Sequence, residues 1–507
     1  MNVPNDDAGF GVFSAGYKKG AGQIVWRRVV ADLETPLSTY LKLAAGSTNS
    51  FLLESVKDGA VAGRYSMIGL KPDLILKVVN GKALVNRTVA LDPAAFEPVN
   101  AAPLAALRTL VAESQIAAPK GVPAQSAGLY GYLGYDMVRH MEKLPDNNPD
   151  PLDTPDTILI RPSLLAVFDT LKDELYITAP VYFNAGVSAR QAYEAAQERI
   201  DEAVVRLESA LPHNRDMTAS APVEIASNTT KQEYFSMVEK ARDYIKAGDI
   251  FQVVLSQRFV SDFTLPPIAL YRALRRTNPS PYMYFLDFGE FAIAGSSPEI
   301  LVQVDKDRVN IRPIAGTRKR GATPERDQEM AAELLSDPKE LAEHLMLLDL
   351  GRNDVGRVAK IGTVEVTDKF FLEYYSHVMH IVSNVVGTLD KEKYDYVDAL
   401  AAGFPAGTVS GAPKVRAMEI IDELEQEKRG IYAGCVGYFG ADGYMDTCIV
   451  LRTAILKDNK LYVQAGAGIV ADSKPELEYL ECQNKAKALF SAATEALRYA
   501  GEAKVGQ

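Results

Sequence analysis

Cysteine is scarce. Only Cys435, Cys448 and Cys482 occur among 507 residues, at unrelated spacings. That excludes a disulfide framework and a cysteine-built zinc site, and it fits a reducing cytoplasmic setting. No apolar run reaches the roughly 18 residues that a membrane span needs. Met1–Asp7 carries no basic stretch ahead of an apolar core, so no secretory signal is expected. A net charge of −11 argues against nucleic acid as a partner. No Gly-x-Ser-x-Gly or Gly-x-Cys-x-Gly elbow occurs, which disfavours a covalent hydrolase. No fixed-period repeat, P-loop or complete dinucleotide fingerprint appears. Histidine is also rare. His377 and His380 stand three apart, but no further ligands at suitable spacing complete a zinc site. An acid–base role for one of them is the stronger reading, beside that of a satisfied core histidine.

What remains is a chain of ordinary globular composition, long enough for two or three domains. Residues 1–22, rich in Gly and polar side chains, read as a loose terminus. Residues 23–208 mix strand-like and helix-like runs. Residues 209–228, without periodicity, read as a linker, and 229–498 form a second unit. Strands in neighbouring runs with helices between them indicate α+β rather than strict βαβ alternation. Asn80-Gly81 marks a hairpin. The Gly/Tyr alternation of 128–136 suggests a strand closely approached by another backbone. Expected strands include 282–288, 291–294, 300–304, 308–313, 431–440, 445–456 and 461–465. Expected helices include 231–247, 324–336, 338–350, 413–425 and 475–499.

Two helical stretches share an acidic step. Asp337 suits an N-cap and Pro338 the first helical position, with Leu341, Leu345 and Leu348 at core spacing. Glu340 and Glu343 then project from one side. Ser473 and Glu476 have capping-box spacing, and Glu478 and Glu481 repeat the Glu-x-x-Glu step. Paired carboxylates on two helices suit one hard cation such as Mg²⁺, with Glu343 and Glu481 ranked first. Two solvated acidic faces are the competing reading.

Other stretches suit binding. Pro313–Arg318 places Gly316 and Thr317 after a strand, where a backbone approaches a ligand. Gly407–Lys414, containing Thr408, leads into a helix whose N-terminus suits an anion. Gly466-Ala467-Gly468 sits between a strand and the Glu478/Glu481 helix. Tyr432 and Arg452 add a phenol and a guanidinium, and a structural ion pair is the competing role for Arg452. Together these groups suit a small carboxylate substrate.

The chain resembles the chorismate-utilising enzymes, and among them the large aminase subunits of anthranilate synthases, over nearly its whole length. The resemblance rests on Leu53-Glu54-Ser55, Asn278-Pro279-Ser280-Pro281-Tyr282-Met283, Ser297-Pro298-Glu299, Pro313–Arg318, Glu343-His344 with Arg352-Asn353-Asp354, Gly407–Lys414 and Gly466-Ala467-Gly468. Members that use water carry Lys where this chain has Gln252. Many aminodeoxychorismate synthases carry Lys where it has Ala315. The resemblance implies two packed, mostly antiparallel sheets flanked by helices. It implies a lyase that turns chorismate and ammonia into anthranilate and pyruvate, the first step of tryptophan biosynthesis. Mg²⁺ would sit on Glu343 and Glu481, Glu299 would be the general acid, and His380 would act in pyruvate elimination with Thr317 beside it. Gly316, Thr317 and Thr408 would line the ring site. Tyr432, Arg452, Gly466, Ala467 and Gly468 would hold the enolpyruvyl carboxylate. Glu54, Ser55, Pro281, Tyr282 and Met283 would bind tryptophan as feedback inhibitor. A glutamine amidotransferase would deliver the ammonia, in a hetero-oligomer of two large and two small subunits. A 4-amino-4-deoxychorismate synthase subunit and a non-catalytic tryptophan-binding regulatory subunit are the alternatives.

Overall fold

A computed structural model describes residues 6–57, 61–212, 224–375 and 378–502. Two long strands, Val61–Val79 and Thr157–Asp169, pair antiparallel from Tyr65 opposite Asp169 to Val78 opposite Thr157 and form a common spine. One arm leaves this spine through Ser50–Lys57, Tyr282–Asp287, Phe291–Ser297, Thr453–Lys457, Lys460–Ile469 and Gln252–Asp262. The other runs through Gly128–Leu133, Cys435–Gly440, Tyr444–Ile449, Ile300–Asp305, Arg308–Ile311 and Val378–Thr388. Ile314–Lys319 and Glu365–Tyr374 flank that last strand. All these pairings are antiparallel, and helices cover the outer faces, so the architecture is α+β.

Strands from the first 208 residues are thus interleaved with strands from the second unit. Ser50–Lys57 lies against Tyr282–Asp287, and Gly128–Leu133 lies against Cys435–Gly440. The largest core cluster draws on both, from Leu52 and Phe168 to Leu255 and Leu489. Of the expected linker, 213–223 lie outside the described residues, while Ala226–Ser227 pairs with Phe259 and Val260. At Gly131, φ is 154° and a Cβ would stand 2.0 Å from the Ile158 carbonyl oxygen, so close backbone contact demands glycine there.

The structure corrects several expectations. Asp6–Tyr17 is a helix, not a loose terminus. Its Phe10, Phe13 and Tyr17 form a helical stripe, with Phe10 and Phe13 packed on Tyr193 at centroid distances of 5.5 and 5.2 Å. The helix capped by Asp337 continues to Gly356. Its buried face uses Leu347, Leu348, Gly351 and Val355, whereas Leu345 is exposed. The expected strand 445–456 breaks after Ile449, because Arg452 adopts a left-handed φ of 48°. Gly466–Gly468 belong to the Lys460–Ile469 strand, opposite Ser256, Leu255 and Val254, rather than to a loop. Ser473 Oγ accepts from the Val470 N–H at 3.0 Å and Ser473 N donates to the Val470 carbonyl at 3.0 Å, in place of the expected capping box with Glu476.

A buried ion pair ties these elements together. Arg429, 2% exposed, donates from Nε and Nη2 to the Glu425 carboxylate at 2.9 and 2.6 Å. It also donates to the carbonyls of Val409 and Val254, both at 2.7 Å. Glu425 Oε1 accepts from Ser256 N at 2.7 Å and Ser256 Oγ at 2.8 Å. Removing one partner strands the other charge away from water. Arg429→Ala is therefore expected to destabilise the protein by about 3–5 kcal/mol in urea unfolding. A loss below about 1 kcal/mol, the value of an exposed pair, would contradict this.

Candidate active site

Glu299 follows a sharp exit from the Phe291–Ser297 strand. Ser297 Oγ donates to the Ile449 carbonyl at 2.6 Å, and Ile449 N donates to the Glu299 carbonyl at 3.0 Å. These bonds hold the turn so that the Glu299 side chain is buried. Thr408 Oγ1 donates to its two carboxyl oxygens at 3.1 and 3.2 Å. Burial outweighs that help and pushes the carboxyl up to about 8. Glu299 thus carries a proton at neutral pH, the state a general acid needs. The turn Gly407–Val409, rather than the start of the helix Lys414–Leu424, reaches it.

Across the site, a β-bulge at Gly316, with φ of 80°, places Thr317 opposite His380. His380 Nδ1 lies 3.2 Å from the Gly316 carbonyl and 3.0 Å from Thr317 Oγ1. A carbonyl oxygen only accepts, so Nδ1 carries the hydrogen and Nε2 keeps its lone pair. Burial, with the positive charge of Arg452 second, pushes the imidazole down to about 4. His380 is therefore neutral, and the Tyr375 ring stands edge-on to it at 5.4 Å. His377 lies outside the described residues.

Arg452 makes no ion pair within 4.0 Å among the described residues, so the structural ion pair expected as its competing role is not formed. Burial holds its pKa below the usual guanidinium value, with Tyr375 and Glu299 the groups that offset this. It lines a cavity of about 480 Å³ together with Asn278, Tyr375, Glu481, Asn484 and Lys485. Nearby, the Tyr432 hydroxyl bonds the Gly466 backbone, and a Cβ on Gly466 would stand 3.0 Å from that hydroxyl. Gly468 makes room for the Gln252 amide, which a Cβ would meet at 2.6 Å. Ala467 is wholly buried, paired with Leu255 in the ladder.

The carboxylates of the two Glu-x-x-Glu helices act on one another. Burial raises the Glu343 carboxyl, and the charges of Glu340 and Glu481 raise it further. Glu478 is likewise raised by burial and by Glu481. Glu340 is held by Arg318 Nη1 at 2.9 Å and by Thr317 N at 3.3 Å, which leaves Glu343 the freer of that pair. Gln252 Nε2 donates to Glu343 Oε1 at 3.1 Å. Among the described residues no group of three His, Cys, Asp or Glu side chains is placed to hold a metal ion by itself. The carboxylates are hard oxygen donors, the kind that Mg²⁺ takes when it keeps several waters and draws its remaining ligands from an anionic substrate.

Lys485 escaped the sequence reading. Its Nζ donates to the Gly466 carbonyl at 2.8 Å and pairs with Glu481 at 2.7 Å, and its only sequence signal is the i,i+4 spacing to Glu481. The expected inhibitor residues also come together. Ser55 stands opposite Tyr282 and Glu54 opposite Met283 on paired strands. Glu54 accepts from Arg275 Nε at 2.9 Å and from the Tyr271 hydroxyl, while the Tyr282 hydroxyl donates to Asp446 at 3.0 Å.

Residues 51–491 match the family model described as chorismate binding enzyme. The chain is 58% identical over 498 residues to anthranilate synthase component 1 of Cereibacter sphaeroides, covering 98% of this chain and 99% of that one. It is 46% identical over 476 residues to the same-named protein of Aquifex aeolicus, covering 92% of this chain and 94% of the other. Anthranilate synthase component I from Streptococcus pneumoniae superposes with a TM-score of 0.75 at 39% identity, over 84% of this chain and 92% of that one. The menaquinone-specific isochorismate synthase of Escherichia coli, with a TM-score of 0.68 at 20% identity over 96% of this chain and 99% of that one, shares the fold.

The opposite shifts of Glu299 and His380 set a pH dependence. Between the ordinary glutamate value of 4.5 and about 8, the folded chain holds a proton on Glu299 that the unfolded chain releases. The stability it contributes is therefore lost as pH rises through that window. Between 6.5 and about 4, the unfolded chain takes a proton that His380 refuses, so stability is lost as pH falls there. Glu299→Gln is expected to flatten the decline in urea midpoint between about pH 6 and about pH 9. An unchanged decline would contradict the assignment.

Proposed function

The chain belongs to the chorismate-binding enzymes, and on that premise we propose that it converts chorismate and ammonia into anthranilate and pyruvate. The observation that carries ammonia over water is Gln252. Where water-using relatives have a lysine base, a non-basic carboxamide donates to Glu343 Oε1 at 3.1 Å. Ala315 in the following turn favours anthranilate over the aminodeoxychorismate product.

Each group has a task suited to its state. The Arg452 guanidinium, lacking an ion-pair partner, and the Gly466–Gly468 backbone receive the enolpyruvyl carboxylate, with Tyr432 beside them. Gly316, Thr317 and Thr408 border the ring. Glu299 gives its proton to the C4 hydroxyl, which departs as water while ammonia bonds to C2. His380, neutral at Nε2, takes the C2 ring proton as the C3–O bond to the enolpyruvyl group breaks, and that proton passes to the methylene carbon of the departing enolpyruvate, which leaves as pyruvate; a group of this kind contributes about 10²–10⁴-fold. Glu343 and Glu481 would hold Mg²⁺, which would supply Lewis-acid stabilisation of the ring carboxylate. Ammonia comes from glutamine through a partner amidotransferase, in an assembly of two large and two small chains in the cytoplasm. Tryptophan regulates at Glu54, Ser55, Pro281, Tyr282 and Met283, two of whose strand pairs face each other across one ladder.

The purified chain with chorismate, Mg²⁺ and ammonium is expected to produce anthranilate fluorescence, to lose it on chelation, and to leave glutamine unused. Chorismate consumption without anthranilate would move the reaction to the aminodeoxychorismate product, and turnover driven by glutamine would refute the need for a partner. Tryptophan is expected to suppress the signal. Ser55→Phe fills the space beside Tyr282 and should raise the inhibitory concentration at least about tenfold, the weight of one lost contact of about 1.4 kcal/mol. Unchanged inhibition in that variant would remove the site.

A further inference from the structure

One motif is not used by the reaction as assigned above: Arg352-Asn353-Asp354, at the far end of the Pro338–Gly356 helix. Glu343, Leu347, Leu350, Gly351 and Asp354 lie at helical spacing along one face, with about 16 Å between the first and last. A cavity of about 30 Å³ is lined by Leu347, Leu350, Gly351 and Asp354 from that face, and also by Arg312, whose guanidinium is paired with Glu373, and by Glu299 and Thr408. A single water needs about 10–15 Å³ measured in this way, and ammonia is of similar size. Its lining mixes apolar side chains with a few polar groups.

Asp354 is the unexplained group. It is 4% exposed. Its Oδ2 accepts from Lys414 Nζ at 2.9 Å, while Oδ1 is buried without a hydrogen-bond partner. Buried carboxylate oxygens are rarely left in that state unless something small fills the vacancy. The pairing to Lys414 also disfavours a second cation, so the fitting occupant is a neutral molecule that donates hydrogen bonds.

We propose that this cavity is a binding site for neutral ammonia, with Asp354 Oδ1 as its hydrogen-bond acceptor and Glu299 and Thr408 among its lining groups. This rests on the aminase reading given above. The Leu347 and Leu350 side chains keep bulk water and ammonium ions out of the passage, and Asp354 holds ammonia by its N–H groups with the lone pair free. Ammonia in solution and ammonia released from glutamine share this chemistry, and the site serves either.

The test is steady-state anthranilate formation by the full chain, with ammonium chloride as the probe, for wild type, Asp354→Asn and Leu350→Phe. The second variant fills the passage without touching the Asp354–Lys414 pair. The expected result is a KM for ammonia raised at least tenfold in either variant, with the KM for chorismate and the Mg²⁺ requirement unchanged. Rates at several pH values should follow free ammonia rather than ammonium; rates that follow ammonium would overturn the neutral occupant. In the complex with an amidotransferase, Leu350→Phe should depress glutamine-driven turnover as well if both sources share the passage. An unchanged KM for ammonia in both variants would overturn the site. A parallel rise in both KM values would assign these residues a structural role instead. A wild-type chain that makes no anthranilate from chorismate and ammonium would refute the aminase reading itself, a result distinct from any of these.

Discussion

The Arg429–Glu425 ion pair is the constraint on which the geometry of the site depends. Two charges are removed from water at a cost that only complete hydrogen bonding offsets. Every polar atom of the pair therefore has to find a place, and those places are backbone groups next to functional residues. The Val409 carbonyl adjoins Thr408, which holds the acid. Val254 and Ser256 belong to the strand that presents Gln252 to Glu343. Tyr432 lies three residues beyond Arg429, with its ring 5.6 Å from the guanidinium carbon. Three segments distant in sequence are thus placed by one pair, with a directionality that apolar packing lacks.

The same low-dielectric setting prepares the chemistry. Desolvation favours whichever form of a group is neutral. It keeps a proton on Glu299 and denies one to His380, so an acid and a base coexist at one pH without exchanging a proton. Arg452 adds to the second effect, since its charge also lowers His380. A guanidinium that forms no ion pair among the described residues and carboxylates that raise one another's pKa are both costly in a resting protein. Under the proposed function, a carboxylate substrate and a divalent cation would each offset one of these costs.

Much of this was legible in the sequence where the signal is local. The Asp337 cap, Pro338 and the Glu-x-x-Glu step follow from spacing on one helix, and the structure keeps them, with the Asp337 side chain accepting from Lys339 N and Glu340 N. The Asn80-Gly81 hairpin and the close approach at Gly131 are also local matters of φ and Cβ. What was missed is non-local. The break at Arg452 interrupts a run whose apolar pattern reads as one strand, because only the surrounding elements require the turn. Gly466-Ala467-Gly468 reads as a loop by composition but is a strand packed so closely on Gln252 and Tyr432 that side chains do not fit. The N-terminal helix is hidden by its glycines, and its aromatic stripe counts only once Tyr193 is in place. The protonation of Glu299 depends on burial that no short stretch reveals, and that burial outweighs a hydrogen bond from Thr408, 109 residues away.

The central claim is that Glu299 is a neutral carboxylic acid at the pH where the protein works. Difference infrared spectroscopy of the wild type against Glu299→Gln reads this directly, with ¹³C-labelled glutamate to separate the carboxyl band from the amide bands. The account predicts a protonated carboxyl band at neutral pH that disappears as pH rises through about 8 and is missing from the variant. A Glu299 that is already ionised at neutral pH would contradict it.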